Sequence, residues 1–95
     1  MTATHVLKCW PVYWDAVASG DKTFEGRRDD RGFQKGDIVV LQRTRHDALH
    51  TVELDVQGTA RNEIRFRIGF ILTGGQFGIE PGYVVFSLLP IGDGA

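Results

Sequence analysis

The sequence predicts a small α+β domain, mainly β. Five to six short strands form a closed or nearly closed barrel, with one short helix near the N-terminus packed beside it. Three observations carry this. Apolar and polar residues alternate in several runs of strand length, glycine-marked turns separate those runs, and only the stretch after Pro11 shows helical spacing. Closure removes vulnerable sheet edges, and an open α+β sheet is the alternative.

The elements follow in chain order. Met1 to Thr4 reads as a loose end, and 92–95 as a fraying tail. His5 to Cys9 alternates as a short strand, Val6 and Lys8 opposed to Leu7 and Cys9. Trp10 precedes a proline, which disfavours helical angles there, while Pro11 suits a first helical turn. Tyr13 with Val17, and Trp14 with Ala18, then form one apolar stripe, and Gly20 supplies a left-handed C-terminal residue. So short a helix is unstable alone, so Tyr13, Trp14 and Val17 are expected to dock on the sheet.

Gly20 to Asp37, GDKTFEGRRDDRGFQKGD, concentrates charge between two glycine turns. As a strand, Thr23 to Arg28 places Thr23, Glu25 and Arg27 on one face and Phe24, Gly26 and Arg28 on the other, with Phe24 as anchor. Asp29 to Lys35 is turn-rich, and Lys35-Gly36-Asp37 leads into the buried strand Ile38 to Leu41, whose polar continuation Gln42 to His46 is expected to leave the core. Thr51 to Val56 reads as a strand with Val52, Leu54 and Val56 inward. Ile64, Phe66, Ile68 and Phe70 alternate with Arg65, Arg67 and Gly69 in the clearest half-exposed strand, running to Leu72. A glycine-rich loop, Thr73 to Gly82, precedes a largely buried last strand, Tyr83 to Leu89.

Composition bounds the function. Ninety-five residues make one domain, 1–95, and 42% hydrophobic with 24% charged residues is ordinary for a globular chain. A formal charge of -1 argues against a sequence-blind DNA binder, which needs a basic field, but allows a local basic groove. One cysteine cannot form an internal disulfide, and no apolar run reaches membrane-spanning length. The expectation is a cytoplasmic monomer with no membrane partner and no cofactor. One Cys and three scattered His make a zinc site of ordinary spacing, or any metal site, an unexpected feature.

LKCWP, a helix closed by Gly20, GDKTFEGR, KGD before an apolar strand, and GYVVFSL after a glycine loop together resemble an ASCH domain of the PUA-like superfamily. The resemblance covers most of the chain and is nearest a small uncharacterised phage and bacterial branch. It implies a compact β-barrel with a cleft beside the helix that binds RNA or a modified nucleoside. Some similar domains are amidohydrolases acting on acylated cytidine, with a catalytic lysine, a threonine three residues on and a distant glutamate. Here Lys22 matches, position 25 is Glu25 instead of threonine, and Glu80 is the nearest substitute for the distant glutamate.

The candidate ligand-binding residues are Lys8, Trp10, Lys22, Thr23, Glu25, Arg27, Arg31 and Tyr83; Lys22 and Glu25 become the catalytic pair if the protein is an enzyme. Lys22 offers a point cation to a phosphate or base carbonyl, and Arg27 a planar fork. Glu25 accepts from an exocyclic amine or holds Arg27. Trp10 at an element boundary suits a stacking wall, whereas Trp14 suits the core. Arg28, Arg31, Arg65 and Arg67 could extend a basic path that Asp29 and Asp30 interrupt. The plainer reading of these charges is a solvated ion network, worth roughly 0–1 kcal/mol per pair. Three functions follow: an RNA- or nucleoside-binding module, an amidohydrolase on N4-acylated cytidine, or a protein-interaction module.

Overall fold

A computed structural model describes residues 2–91. The expected tail, 92–95, lies outside the described residues. The elements are β1 (Thr4–Cys9), α1 (Pro11–Ala18), β2 (Phe24–Arg28), β3 (Ile38–Arg43), β4 (Glu63–Thr73) and β5 (Tyr83–Pro90). They form one five-stranded sheet in the order β1-β3-β4-β5-β2, parallel between β1 and β3 and antiparallel elsewhere. The sheet curls into a half-barrel, mainly β with one helix.

The core lies on the concave face. Leu7, Cys9, Val39, Leu41, Ile68, Val84, Phe86 and Leu88 fill it, with Val17 from α1 and Phe33 from the turn after β2. The helix starts without a side-chain cap; Pro11 fixes its first turn, and Trp10 O accepts from Tyr13 N and Trp14 N. At its other end Gly20 has φ +84, and Lys22 N donates to Ala16 O at 3.0 Å. Trp14 is tied down by its indole N–H, 2.9 Å from Leu41 O.

Asp37 explains the KGD turn. Its buried carboxylate accepts from Ala3 N, Gln34 N and His5 Nε2, so one side chain joins the start of β1 to the entry of β3. Burial opposes ionisation of Asp37, but those hydrogen bonds outweigh it and hold its carboxyl below the usual range.

Several expectations require correction. Thr4 belongs to β1 and not to a loose end. Tyr13 is 48% exposed, so only Trp14 and Val17 dock. Phe24 faces outward at 50% exposed while Glu25 is buried. Alternation defines two faces but not which one is inward, and pairing decides it: Glu25 stands opposite Phe86, and Arg27 opposite Val84. Gln42 and Arg43 stay in the sheet, and Thr44 is fully buried. No strand forms over Thr51 to Val56. Only isolated bridges join Thr44 to Val52 and Leu54 to Ala60, and Val56 is 99% exposed. In β4 a register shift between Ile68 and Ile71 turns Phe70 outward and brings Gly69 in. A Cβ at Gly69 would stand 2.3 Å from Ser87 Oγ, so a larger residue there would have to displace the hydroxyl that accepts from Phe70 N.

Candidate functional site

Between β1 and β2, beside the start of α1, lies an open pocket of about 370 Å³, lined by Lys8, Cys9, Trp10, Tyr13, Lys22, Glu25, Gly26 and Arg27. Small-molecule pockets run from about 300 to 1,000 Å³, so this one suits a single nucleoside-sized group. Its centre is Glu25. Because β2 pairs with β5 in the register above, this carboxylate projects onto the core face, where it is 3% exposed.

A buried carboxylate needs partners, and two cations supply them. Lys22 Nζ donates to Glu25 Oε1 and to Phe24 O, while Arg27 Nε donates to Glu25 Oε2 at 3.0 Å. Arg27 Nη2 also reaches Lys8 O at 2.7 Å. With both its oxygens engaged, Glu25 acts chiefly as a brace that sets Lys22 and Arg27 at the pocket wall. Lys22 keeps one N–H and Arg27 keeps Nη1 without an acceptor among the described residues. The pocket is therefore rich in donors, and with Lys8 it carries a formal charge of +2, from three cations and one carboxylate.

The apolar wall is aromatic. Trp10 and Tyr13 lie one helical turn apart, with ring centroids 6.0 Å apart and planes 25° apart, and His50 stacks on Trp10 at 4.6 Å. These contacts fix the indole at the rim. Lys22 Nζ lies 5.0 Å from the Phe24 ring centre and 5.9 Å from that of Tyr13, inside cation–π range. Cys9 forms the floor. Burial, reinforced by Glu25 and opposed by Arg27 and Lys22, pushes its thiol up to about 11, so it is no nucleophile at neutral pH.

Arg43 steadies the flank. It grips Asp15 of α1 through Nε and Nη2, and Glu53 of the following excursion through Nη1 at 3.0 Å. The hydrogen bond from Arg43 holds the Asp15 carboxyl below its usual range, and those from Asn62 and Arg43 do the same for Glu53.

Of the residues expected from sequence, Lys8, Trp10, Lys22, Glu25 and Arg27 come together here. Thr23 is exposed outside the pocket, and its carbonyl accepts from Leu88 N. Arg31 sits in an adjoining cleft, Tyr83 takes a hydrogen bond from Arg28 at the far end of β2, and Glu80 lies in the glycine loop away from the pocket. Sequence reasoning missed Cys9, Tyr13 and Gly26. One signal was available: Tyr13 lies three residues from Trp10, one turn along the start of the helix. Among the described residues, no cluster of three His, Cys, Asp or Glu side chains is placed to hold a metal, and no helix is long and apolar enough to cross a membrane.

Residues 4–88 match DUF3850, a domain of unknown function, and the chain belongs to that family. No curated protein matches it.

Proposed function

We propose that this DUF3850 chain is an ASCH-type module of the PUA-like superfamily that binds RNA or a nucleoside in the Lys22–Glu25–Arg27 pocket. One observation carries the reading: two cations braced by a buried carboxylate face an aromatic wall across a space of nucleoside size. A base satisfies both halves, its ring against Trp10 or Tyr13 and its carbonyl on Lys22 or Arg27. An exposed ion network of negligible worth is a poor description of a site whose carboxylate is 3% exposed. The half-barrel and the cleft beside the helix also fit the superfamily's architecture. We place the protein in the cytoplasm as a monomer.

A second reading, amidohydrolysis of an N4-acylated cytidine, draws on the Lys22–Glu25 contact inside the pocket. In it Lys22 is the base or nucleophile, and Glu25 moves the proton. A titration and a turnover assay separate the two. Amide and side-chain shifts are followed during titration with cytidine, other nucleosides and short single-stranded RNAs, with Lys22→Ala as control. Binding predicts shifts at Lys22, Glu25, Arg27 and Trp10 that Lys22→Ala abolishes; their absence at millimolar ligand removes the proposal. Deacylation of N4-acetylcytidine, lost in Lys22→Ala, would establish the second reading instead.

A further inference from the structure

The two edge strands of the half-barrel, β1 and β2, face each other without backbone pairing. Carbonyls of Ala3, just before β1, and Cys9, at its end, point to the β3 side, accepting from Ile38 N and Thr44 N. Those of Val6 and Lys8 point the other way, toward β2. Arginines satisfy them: Arg31 Nη1 donates to Val6 O at 3.1 Å, and Arg27 Nη2 to Lys8 O at 2.7 Å. Guanidinium groups thus strap the seam where a ladder would otherwise run.

The seam is also hollow. Leu7, Arg27, Arg28, Asp30, Arg31 and Phe33 line a cleft of about 170 Å³. Arg27 lines both this cleft and the nucleoside-sized pocket, so the two share a wall. Three guanidiniums and one carboxylate give the cleft a formal charge of +2. The carboxylate is a weak competitor, since Asp30 is 65% exposed and 3.9 Å from Arg31 Nε. The straps leave donors over. Arg28 spends Nη2 on the Tyr83 hydroxyl, and Arg27 Nη1, Arg28 Nη1 and Arg31 Nη2 have no acceptor among the described residues. The free forks of Arg27 and Arg31 at one small cleft match the oxygens of a phosphate, and Arg28, held over the Tyr83 ring, adds positive charge beside them.

From this we infer that the seam between β1 and β2 is a phosphate subsite, so that the ligand of the neighbouring pocket is a nucleoside phosphate or RNA phosphodiester and not a free nucleoside. The ligand class rests on the function proposed above. The anion site itself stands on the arginine geometry alone.

Two measurements separate these. Arginine Nε–Hε resonances are followed as inorganic phosphate replaces chloride at constant ionic strength. The inference predicts shifts at Arg27, Arg28 and Arg31 that are absent from Arg65 and Arg67, and shifts spread equally over all five would overturn it. Affinities for cytidine and cytidine 5′-monophosphate are then compared by calorimetry. The monophosphate is expected to bind at least about tenfold tighter, from charge-assisted hydrogen bonds. Arg31→Gln, which keeps a donor for Val6 O, should erase most of that ratio while leaving cytidine affinity unchanged. Equal affinities would overturn the ligand-class inference and leave nucleoside binding standing. No binding of either ligand, beside selective arginine shifts with phosphate, would sink the nucleoside reading and uphold the anion site. A gain for a short RNA over the monophosphate identifies the diester as the source.

Discussion

Replacing Glu25 by glutamine keeps the side chain's shape but removes the charge that braces Lys22 and Arg27. Breaking a fully buried ion pair costs about 3–5 kcal/mol, an exposed one about 0–1. Here the carboxylate side chain is 4% exposed, while those of Lys22 and Arg27 are 17% and 26% exposed. The orphaned cations recover some water, so we expect a loss of about 1–3 kcal/mol for Glu25→Gln. In a domain of this size each kcal/mol moves Tm by roughly 4–8 °C, which gives a fall of about 4–24 °C. Thermal unfolding by circular dichroism measures it. Lys22→Met, and the double variant with Glu25→Gln, complete a cycle in which the double loss should be smaller than the sum of the single losses. A Glu25→Gln variant as stable as the wild type, or strict additivity, would refute the idea that this carboxylate organises the site.

Thr44 is fully buried, and its hydroxyl oxygen has no hydrogen-bond partner. Thr44→Val should therefore raise stability by about 1 kcal/mol, seen as a higher Tm; a lower one would contradict it. At Gly74 an added Cβ would stand 1.9 Å from Glu80 O, so Gly74→Ala should reduce stability by about 2 kcal/mol or more in denaturant titration. Acid stability follows from Asp37 and Glu53, whose carboxyls sit below their usual range in the folded chain. Such groups stabilise above the unfolded values near 4 and lose that contribution as pH falls through the folded ones. Tm should thus be level from neutral pH to about 5 and drop below about 4, with a shallower acid limb in Asp37→Asn than in the wild type.

The strand and helix pattern was legible where local chemistry and tertiary demand agreed. Pro11 and Gly20 bracket α1, and the apolar run from Ile38 is the core of β3. What was hidden was orientation and register. Phe24 looks like an anchor by hydrophobicity, yet pairing with β5 sends Glu25 inward, and the polar residue gains the buried position because Lys22 and Arg27 neutralise it. Phe70 continues a clean alternation until the register shift next to Gly69 reverses it. Phe33, a lone aromatic in a turn-rich stretch, packs on Phe86 at 5.1 Å, and Asp29 helps hold it there by accepting from Phe33 N. Val52, Leu54 and Val56 alternate like a strand, but that excursion finds only single bridges, so period alone did not make a sheet. The site was legible as a charge cluster beside aromatics; its floor, Cys9, and its brace depended on which face of β1 and β2 turned inward.

A crystal structure of the protein grown with saturating cytidine 5′-monophosphate tests the central claim most directly. The account predicts the base between the Trp10–Tyr13 wall and the Lys22 and Arg27 donors, with the phosphate toward Arg31. A ligand bound elsewhere on the surface, with the Lys22–Glu25–Arg27 pocket empty, would contradict it.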